Sequence, residues 1–554
     1  MTSSSKPSAS ETSKKIKHLL KELPEERADA ARLDELRKVF AKLVASGDIK
    51  FGKSAENSIA AKWQAFLAKH HKQMVSQLCE RIEAGKRSAI RCMWGVIAAS
   101  PQTSVNGLYT YVNPALMQKW IRSMSRLEIE DMDKAMRHMV ESEFLHPYRD
   151  VQFYALSSLT LVAAEQYEKQ QKGATSSHIG ETLLELLMMI PIPESHDDLE
   201  TGKFLFTPPK DAVPDQAANK EDDGDEDGDD SSSEEEDEES KESDDDDEDS
   251  DEEETEKQNH RHLRPKKRQK TGNEKKFSFQ QLRAFRREYE KAWLAILKLS
   301  LPIQSLKRAL QFLPSQVLPS VSHPLRFSDF FIQAYTDHGS GALGVLALDG
   351  LFLLITEYGL EYPEFYKQLY RLVSSRVLYA KYRAKFFSLL TKCLARNEML
   401  PAHLVAAFVK RLCRSALSAP PPGILFVLAL TSNLLRKHPE CSCLIQRKDG
   451  TEMDDEFDAS EDDPVQTKAL QSSLWELAVL ERHYHPAIGT LAKSIGSDAE
   501  SKGPLHDMTE FSSHTYKSLF DQDRKKKTKT ALTFTEPTSL FTNDDIFSGS
   551  LSFQ

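Results

Sequence analysis

The sequence is poor in the residues and motifs that most catalytic folds require. Glycine is scarce, at 22 of 554 residues, which argues against a glycine-rich cofactor fold or an all-β sandwich. There is no GxxxxGK[ST] phosphate cradle, no GxGxxG after a strand pattern, no GxSxG elbow and no kinase signature set, so an enzyme is not expected. The six cysteines, Cys79, Cys92, Cys393, Cys413, Cys441 and Cys443, are too few and too scattered for a disulfide framework. They read as reduced, buried thiols of a cytosolic or nuclear protein. The nearest approach to a metal set joins Cys441 and Cys443 to His483 and His485. A CxC and an HxH pair about 40 residues apart do not match structural zinc spacing, so neither a metal nor a cofactor is expected. No apolar run reaches the roughly 18 residues of a membrane helix. The longest candidate, Gly341–Ile355, is shorter and carries Asp349. The opening MTSSSKPSASETSKK lacks the apolar core of a signal peptide.

What is present is charge, unevenly placed. The formal net charge is −12. Residues 221–255 hold 25 Asp/Glu and one Lys, a local −24, so the remaining 72 basic and 60 acidic residues sum to +12. Like-charge blocks repel themselves and cannot bury apolar surface, so this insert is expected to be disordered. Ser231, Ser232, Ser233, Ser243 and Ser250 each have an acidic residue three positions later, the pattern acidophilic kinases prefer. Each phosphorylation would add about −1.5 to −2 charge. A basic run follows, and Arg264, Lys266, Lys267 and Arg268 have the short form of a nuclear import signal. A second basic knot at Arg524–Lys529 includes Lys525, Lys526 and Lys527, candidates for phosphate contact.

On either side of the insert the periodicity is helical. Apolar residues recur at i, i+3, i+4 and i+7 over Lys17–Val44, and further helical patterns cover 58–84, 88–99, 114–140, 147–171 and 179–190. After 276 the pattern is helix, short turn, helix, punctuated by Pro302, Pro314, Pro319, Pro324, Pro363, Pro401 and Pro420–Pro422. Proline belongs in a helix's first turn or in a linker. The expected fold is all-α, a HEAT/armadillo-like α-solenoid without an exact sequence repeat, in two helical regions separated by the acidic linker. The boundaries read as a disordered 1–14, a helical 15–206, a disordered linker at 207–275, a helical 276–498, and a mostly extended tail at 499–554. Phe541 and Phe547 in that tail could dock on another chain. The acidic stretch Arg447–Asp463 reads as a mobile loop. Aromatic and basic residues interleave at Tyr379–Phe387 (YAKYRAKFF), a pattern that can stack bases but more often places aromatics in the core behind a basic face.

Four ordered blocks carry a resemblance. They are LALDGLFLLITEYGLEYPEFYKQLYRLV at Leu346–Val373, LPAHLVAAFVKRL at Leu400–Leu412, LSAPPPGILFVLALTSNLL at Leu417–Leu435, and LWELAVLERHYHP at Leu474–Pro486. Together they resemble the nucleolar complex (CCAAT-binding factor/Mak) family, and most closely its member in small-subunit assembly. Gly350, Leu351, Leu360, Tyr362, Pro363, Tyr366, Leu369, Tyr370 and Trp475 are the family-motif residues, and Trp475 reads as a core anchor. Gly359 sits where a helix end needs a left-handed residue. Lys410 and Arg411 are the candidates for touching RNA or an acidic partner. The resemblance implies a non-enzymatic, nucleolar ribosome assembly factor of the small-subunit (90S/pre-40S) processome. It implies a role in 18S rRNA maturation, with nucleolar protein fourteen, other processome proteins and pre-rRNA as partners. No membrane and no small-molecule substrate are expected. The alternatives are a large-subunit (pre-60S) relative and a nuclear transport-type helical adaptor.

Overall fold

The computed structural model describes residues 9–21, 29–45, 59–99, 103–105, 108–110, 113–128, 130–173, 177–205, 278–339, 341–397, 399–446, 455–497 and 504–526. The acidic insert with its serines, Arg264, Lys266, Lys267, Arg268, Lys527, Phe541 and Phe547 lie outside the described residues. The chain forms two compact units, Met1–Phe327 and Ser328–Gln554.

In the first unit the helices are α1 (Ala9–Lys21), α2 (Asp29–Ala45), α3 (Ile59–Glu83), α4 (Arg87–Ala99), α5 (Pro114–Ser125), α6 (Lys134–Met139), α7 (Arg149–Gln171), α8 (Ser177–Met188), α9 (His196–Thr201), α10 (Leu282–Leu297) and α11 (Ile303–Phe312). One short antiparallel pair, β1 (Thr103–Val105) and β2 (Leu108–Thr110), interrupts them. Helix starts follow their caps. Asn113 accepts from the backbone N–H groups of Ala115 and Leu116 before Pro114 opens α5, and Asp133 accepts from Met136 N–H before α6. Helix α10 buries Leu282, Phe285, Tyr289, Trp293 and Ile296 along one stripe, and its main neighbour is α7. That packing draws residues 278–327 into the first compact unit, whereas the sequence pattern groups them with the second helical region. Aromatic stacking is the physical reason: Phe279 packs against Phe153, Tyr154 and Phe204. Periodicity identifies a helix but not the neighbour it covers.

The second unit holds α12 (Ser328–His338), α13 (Ala342–Tyr358), α14 (Phe365–Leu372), α15 (Ser375–Tyr379), α16 (Arg383–Leu390), α17 (Ala402–Ala416), α18 (Pro421–Lys437), α19 (Trp475–Leu480), α20 (Pro486–Ser497), α21 (Met508–Ser513) and α22 (Tyr516–Lys525). Every residue of α18 from Pro421 to Leu435 is buried. An apolar helix without a polar face must be covered on all sides, and α16, α17, α20, α21 and α22 lie in this unit to do so. Contacts with α17, α20 and α21 are the most extensive. Pro401 and Pro420 cap α17 and α18, and Pro421 and Pro422 occupy the first turn of α18. Gly350 is buried where α13 crosses α12, and a Cβ there would collide with the Phe331 ring. Gly359 ends α13 with φ +69°, its N–H returning to the Leu354 carbonyl, a left-handed cap that glycine adopts without strain.

Three expectations need correction. Among the described residues the tail after 499 is not extended throughout, because it forms α21 and α22, which pack on α18. The side chain of Asn433 donates to the His506 carbonyl at 2.9 Å and accepts from His506 N–H at 2.8 Å, which ties the tail down. The acidic 447–463 stretch is not wholly a loose loop, since residues 455–463 are folded against the unit. Pro363, which the helical pattern taken alone would put in the first turn of α14, stands just before it. It lies in the lead-in turn closed by Phe365 N–H on the Tyr362 carbonyl at 3.1 Å.

Candidate functional site

The chemistry most concentrated in the second unit surrounds α17. Lys410 sits at the centre of this helix, which is buried along most of its length. A buried ammonium is tolerable only with ion-pair partners and full hydrogen bonding, and the fold supplies both. Its Nζ lies 2.9 Å from Glu476 Oε1 and 3.2 Å from Asp455 Oδ2, and donates to the Ser473 carbonyl at 2.5 Å. The Phe457 and Trp475 rings stand 5.8 and 5.4 Å from it, in cation–π range. Trp475 Nε1 donates to Asp455 Oδ2 at 3.0 Å, and Ser472 Oγ donates to Asp455 Oδ1 at 2.5 Å.

Burial alone would raise the Asp455 carboxyl, but hydrogen bonds from Ser472, Lys410 and Trp475 outweigh it and hold the group down at about 2. Glu476 goes the other way, because burial raises it more than the Lys410 hydrogen bond lowers it. The two acids therefore share one cation unequally, and Asp455 is the firmly ionised partner. Next along α17, the Arg411 guanidinium lies 4.3 Å over the Tyr370 ring, and its Nε donates to the Val373 carbonyl at 3.0 Å. Its Nη1 reaches the Glu461 carbonyl at 3.3 Å.

Three assignments change. Lys410 is fully buried, so it is no surface contact for RNA or a partner. Arg411 is taken up by Tyr370, Val373 and Glu461. Trp475 is 41% exposed and covers the ion cluster from outside rather than anchoring a core. Leu351, Leu369 and Tyr370 are buried as the sequence suggests, while Leu360, Tyr362 and Tyr366 are only half-buried and Pro363 is exposed. Tyr366 Oη accepts from Asn397 at 3.2 Å. Lys525 and Lys526 are exposed at the end of α22, with Lys526 on Asp523 at 2.7 Å. The sequence pattern did not single out Asp455, Phe457, Glu476 or Arg414, whose guanidinium lies 5.8 Å from the Phe457 and Trp475 rings. The one available signal was a lysine inside an otherwise apolar helical run, which demands a buried anion somewhere else in the chain.

The buried Lys410–Glu476 pair is shut away from solvent and acts, with the partly exposed Asp455 and Trp475, as a lock that fastens residues 455–476 to α17. Nucleophiles are equally shut away, since burial pushes the thiols of Cys92, Cys413 and Cys441 up to about 12. Cys441 Sγ donates to the Ala402 carbonyl and Cys443 Sγ to the Leu470 carbonyl, whereas His485 lies by Asp523 and His483 by Tyr484. Among the described residues no three His, Cys, Asp or Glu side chains converge as a metal site.

Residues 344–492, which take in most of α13 and the whole Lys410 cluster, match the CBF/Mak21 family. The Nucleolar complex protein 4 homolog of Homo sapiens is 44% identical over 251 residues, 44% of this chain and 47% of that protein. The Danio rerio homolog is 40% identical over 251 residues, covering 45% and 47%. Nucleolar complex protein 4 of Saccharomyces cerevisiae is 36% identical over 285 residues, covering 47% and 51%. The chain spans about half the length of the curated relatives it matches. Their names place these relatives in the nucleolus, and the likeness assigns this chain the same localisation.

Proposed function

We propose that this chain, which carries a CBF/Mak21 domain and is similar to Nucleolar complex protein 4, is a non-enzymatic helical scaffold of small-subunit ribosome assembly. It would act in the 90S/pre-40S processome, with stacked HEAT-like helices presenting surfaces to nucleolar protein fourteen and to precursors of 18S rRNA. The observation that carries this reading is the 36–44% identity to proteins of that name. The structure is compatible with it in a specific sense: the buried charges of the family domain, Lys410 with Glu476, are spent on fastening its elements together, which suits a rigid platform. The run at Arg264–Arg268 would supply nuclear entry, and the −24 insert would keep basic partners from the wrong contacts.

Affinity purification of the tagged full chain, followed by sequencing of associated RNA, tests the proposal. Enrichment of 18S precursors is expected, and deletion of residues 341–490 should abolish recovery of nucleolar protein fourteen. Enrichment of large-subunit precursors would instead place the chain with the large-subunit relatives of the family. Shuttling without any accumulation of unprocessed 18S precursor on depletion would mark a transport adaptor.

A further inference from the structure

The second unit leaves four large rings in solvent at one place. Tyr379 ends α15, Tyr484 lies in the turn before α20, and Tyr516 and Phe520 are one helical turn apart on α22. They are 60%, 79%, 58% and 66% exposed. Three segments distant in sequence converge here. Burial raises the Tyr516 hydroxyl, the neighbouring Tyr484 and Tyr379 hydroxyls raise it further, and the Arg383 guanidinium lowers it. Arg383 donates to the His514 carbonyl at 3.0 Å, which fixes the start of α22 beside α16. Tyr379 Oη donates to the Ser418 carbonyl at 2.5 Å, so that ring is held with its face outward. The Tyr484 ring is backed by His483, 4.3 Å away between centroids.

The rim is cationic. Lys381, Lys385, Lys517 and Lys525 are exposed on the same short segments. Two acids of α22 are already paired: Asp521 with Arg524 at 3.6 Å, and Asp523 with Lys526 at 2.7 Å and His485 at 3.7 Å. Exposed rings of this number are costly to leave bare. An aliphatic partner helix would be met by leucine and isoleucine, which this patch lacks. Flat rings inside a ring of lysines instead match the two needs of single-stranded nucleic acid, a stacking face for each base and a positive track for each phosphate. The interleaved YAKYRAKFF segment thus divides its work. Phe386 and Phe387 enter the core, where Phe387 stacks on Phe426 at 3.8 Å, while Tyr379 stays outside.

We infer that Tyr379, Tyr484, Tyr516 and Phe520 form a base-stacking platform for single-stranded RNA, with Lys381, Arg383 and Lys517 supplying the charge that holds its backbone. This names an RNA-contacting surface within the role proposed above, yet it stands on the patch alone and needs no ribosomal precursor.

The test is fluorescence anisotropy with the full chain and a labelled oligouridine of about 12 nucleotides, within the usual site size of such surfaces. Tyr484→Ala/Phe520→Ala should weaken binding about tenfold or more, with an unchanged melting temperature because both side chains lie mostly in solvent. Lys381→Ala/Lys517→Ala should weaken binding and flatten its dependence on salt. An RNA duplex of the same length should bind without sensitivity to the aromatic variant. Equal oligouridine affinity for wild type and the aromatic variant would overturn the inference. So would an aromatic variant that keeps RNA affinity but loses a co-purifying protein, which would make the face a protein-docking surface. A chain that binds oligouridine through these rings but enriches no 18S precursor in cells would leave the platform standing and remove the small-subunit role.

Discussion

The two units bury charge in opposite ways. In the first, the buried groups are acids satisfied mainly by backbone N–H groups and an arginine. Asp150 accepts from Val151 and Leu205 N–H, each at 3.0 Å. Glu290 accepts from His323 N–H and from Arg326, each at 3.1 Å. Backbone N–H groups at helix starts and turns are oriented before the acid arrives, so each acid staples a loop to a helix. In the second unit a buried cation, Lys410, is met by a buried acid, Glu476, and α17 has no carbonyl to spare for it inside its own ladder. Lys410 must draw on Asp455, Ser473 and Glu476, 45 to 66 residues along the chain. The acids of the first unit thus rest largely on backbone donors, whereas the buried lysine rests on two side-chain carboxylates and a carbonyl, and both arrangements join segments far apart along the chain.

The sharpest way to break this comparison is Lys410→Met. It leaves Glu476 buried without its cation, and a loss of about 3–5 kcal/mol in chemical denaturation of the full chain is expected. Lys410→Met with Glu476→Leu should recover a large part of that loss, since neither group then needs a partner. Asp150→Ala, the counterpart in the first unit, should cost about 1–3 kcal/mol, because two backbone N–H groups lose a shared acceptor at a buried position. Acid should separate the units further. The folded Asp455 carboxyl is depressed, so its contribution is present above the usual carboxylate value near 3.8 and is lost as pH falls toward about 2. Glu476 is raised and works in the other sense, contributing below its unfolded value and losing that as pH rises through the folded one. Asp455→Asn should therefore flatten the acid limb of a melting-temperature profile below pH 4. The smallest effect belongs to the lid. Trp475→Phe keeps a ring over Lys410 but deletes the bond to Asp455, and about 0.5–1.5 kcal/mol is expected.

Much of the helix inventory was legible along the chain. The starts at Pro114, Pro302, Pro401 and Pro420 and the stop at Gly359 follow from φ limits that act within one residue. The fate of individual polar and aromatic residues was not legible. Lys410 and Arg411 look like a basic surface pair in sequence, but one lies in the core and the other under Tyr370. Trp475 looks like a core residue and is a cover. Tyr484, Tyr516 and Phe520 carried no pattern at all, because the patch they form exists only once α15, the 481–485 turn and α22 meet.

By itself, the sequence determined the helical class, the split of charge into a −24 insert and a +12 remainder, and the family likeness, since each is a property of composition or of short-range order. Only the tertiary structure decided which charges are buried and which rings are bare. The physical reason is that solvation is a property of a place rather than of a residue: Lys410 leaves water because two distant carboxylates meet it, and Tyr484 stays 79% exposed because among the described residues no helix packs over its ring.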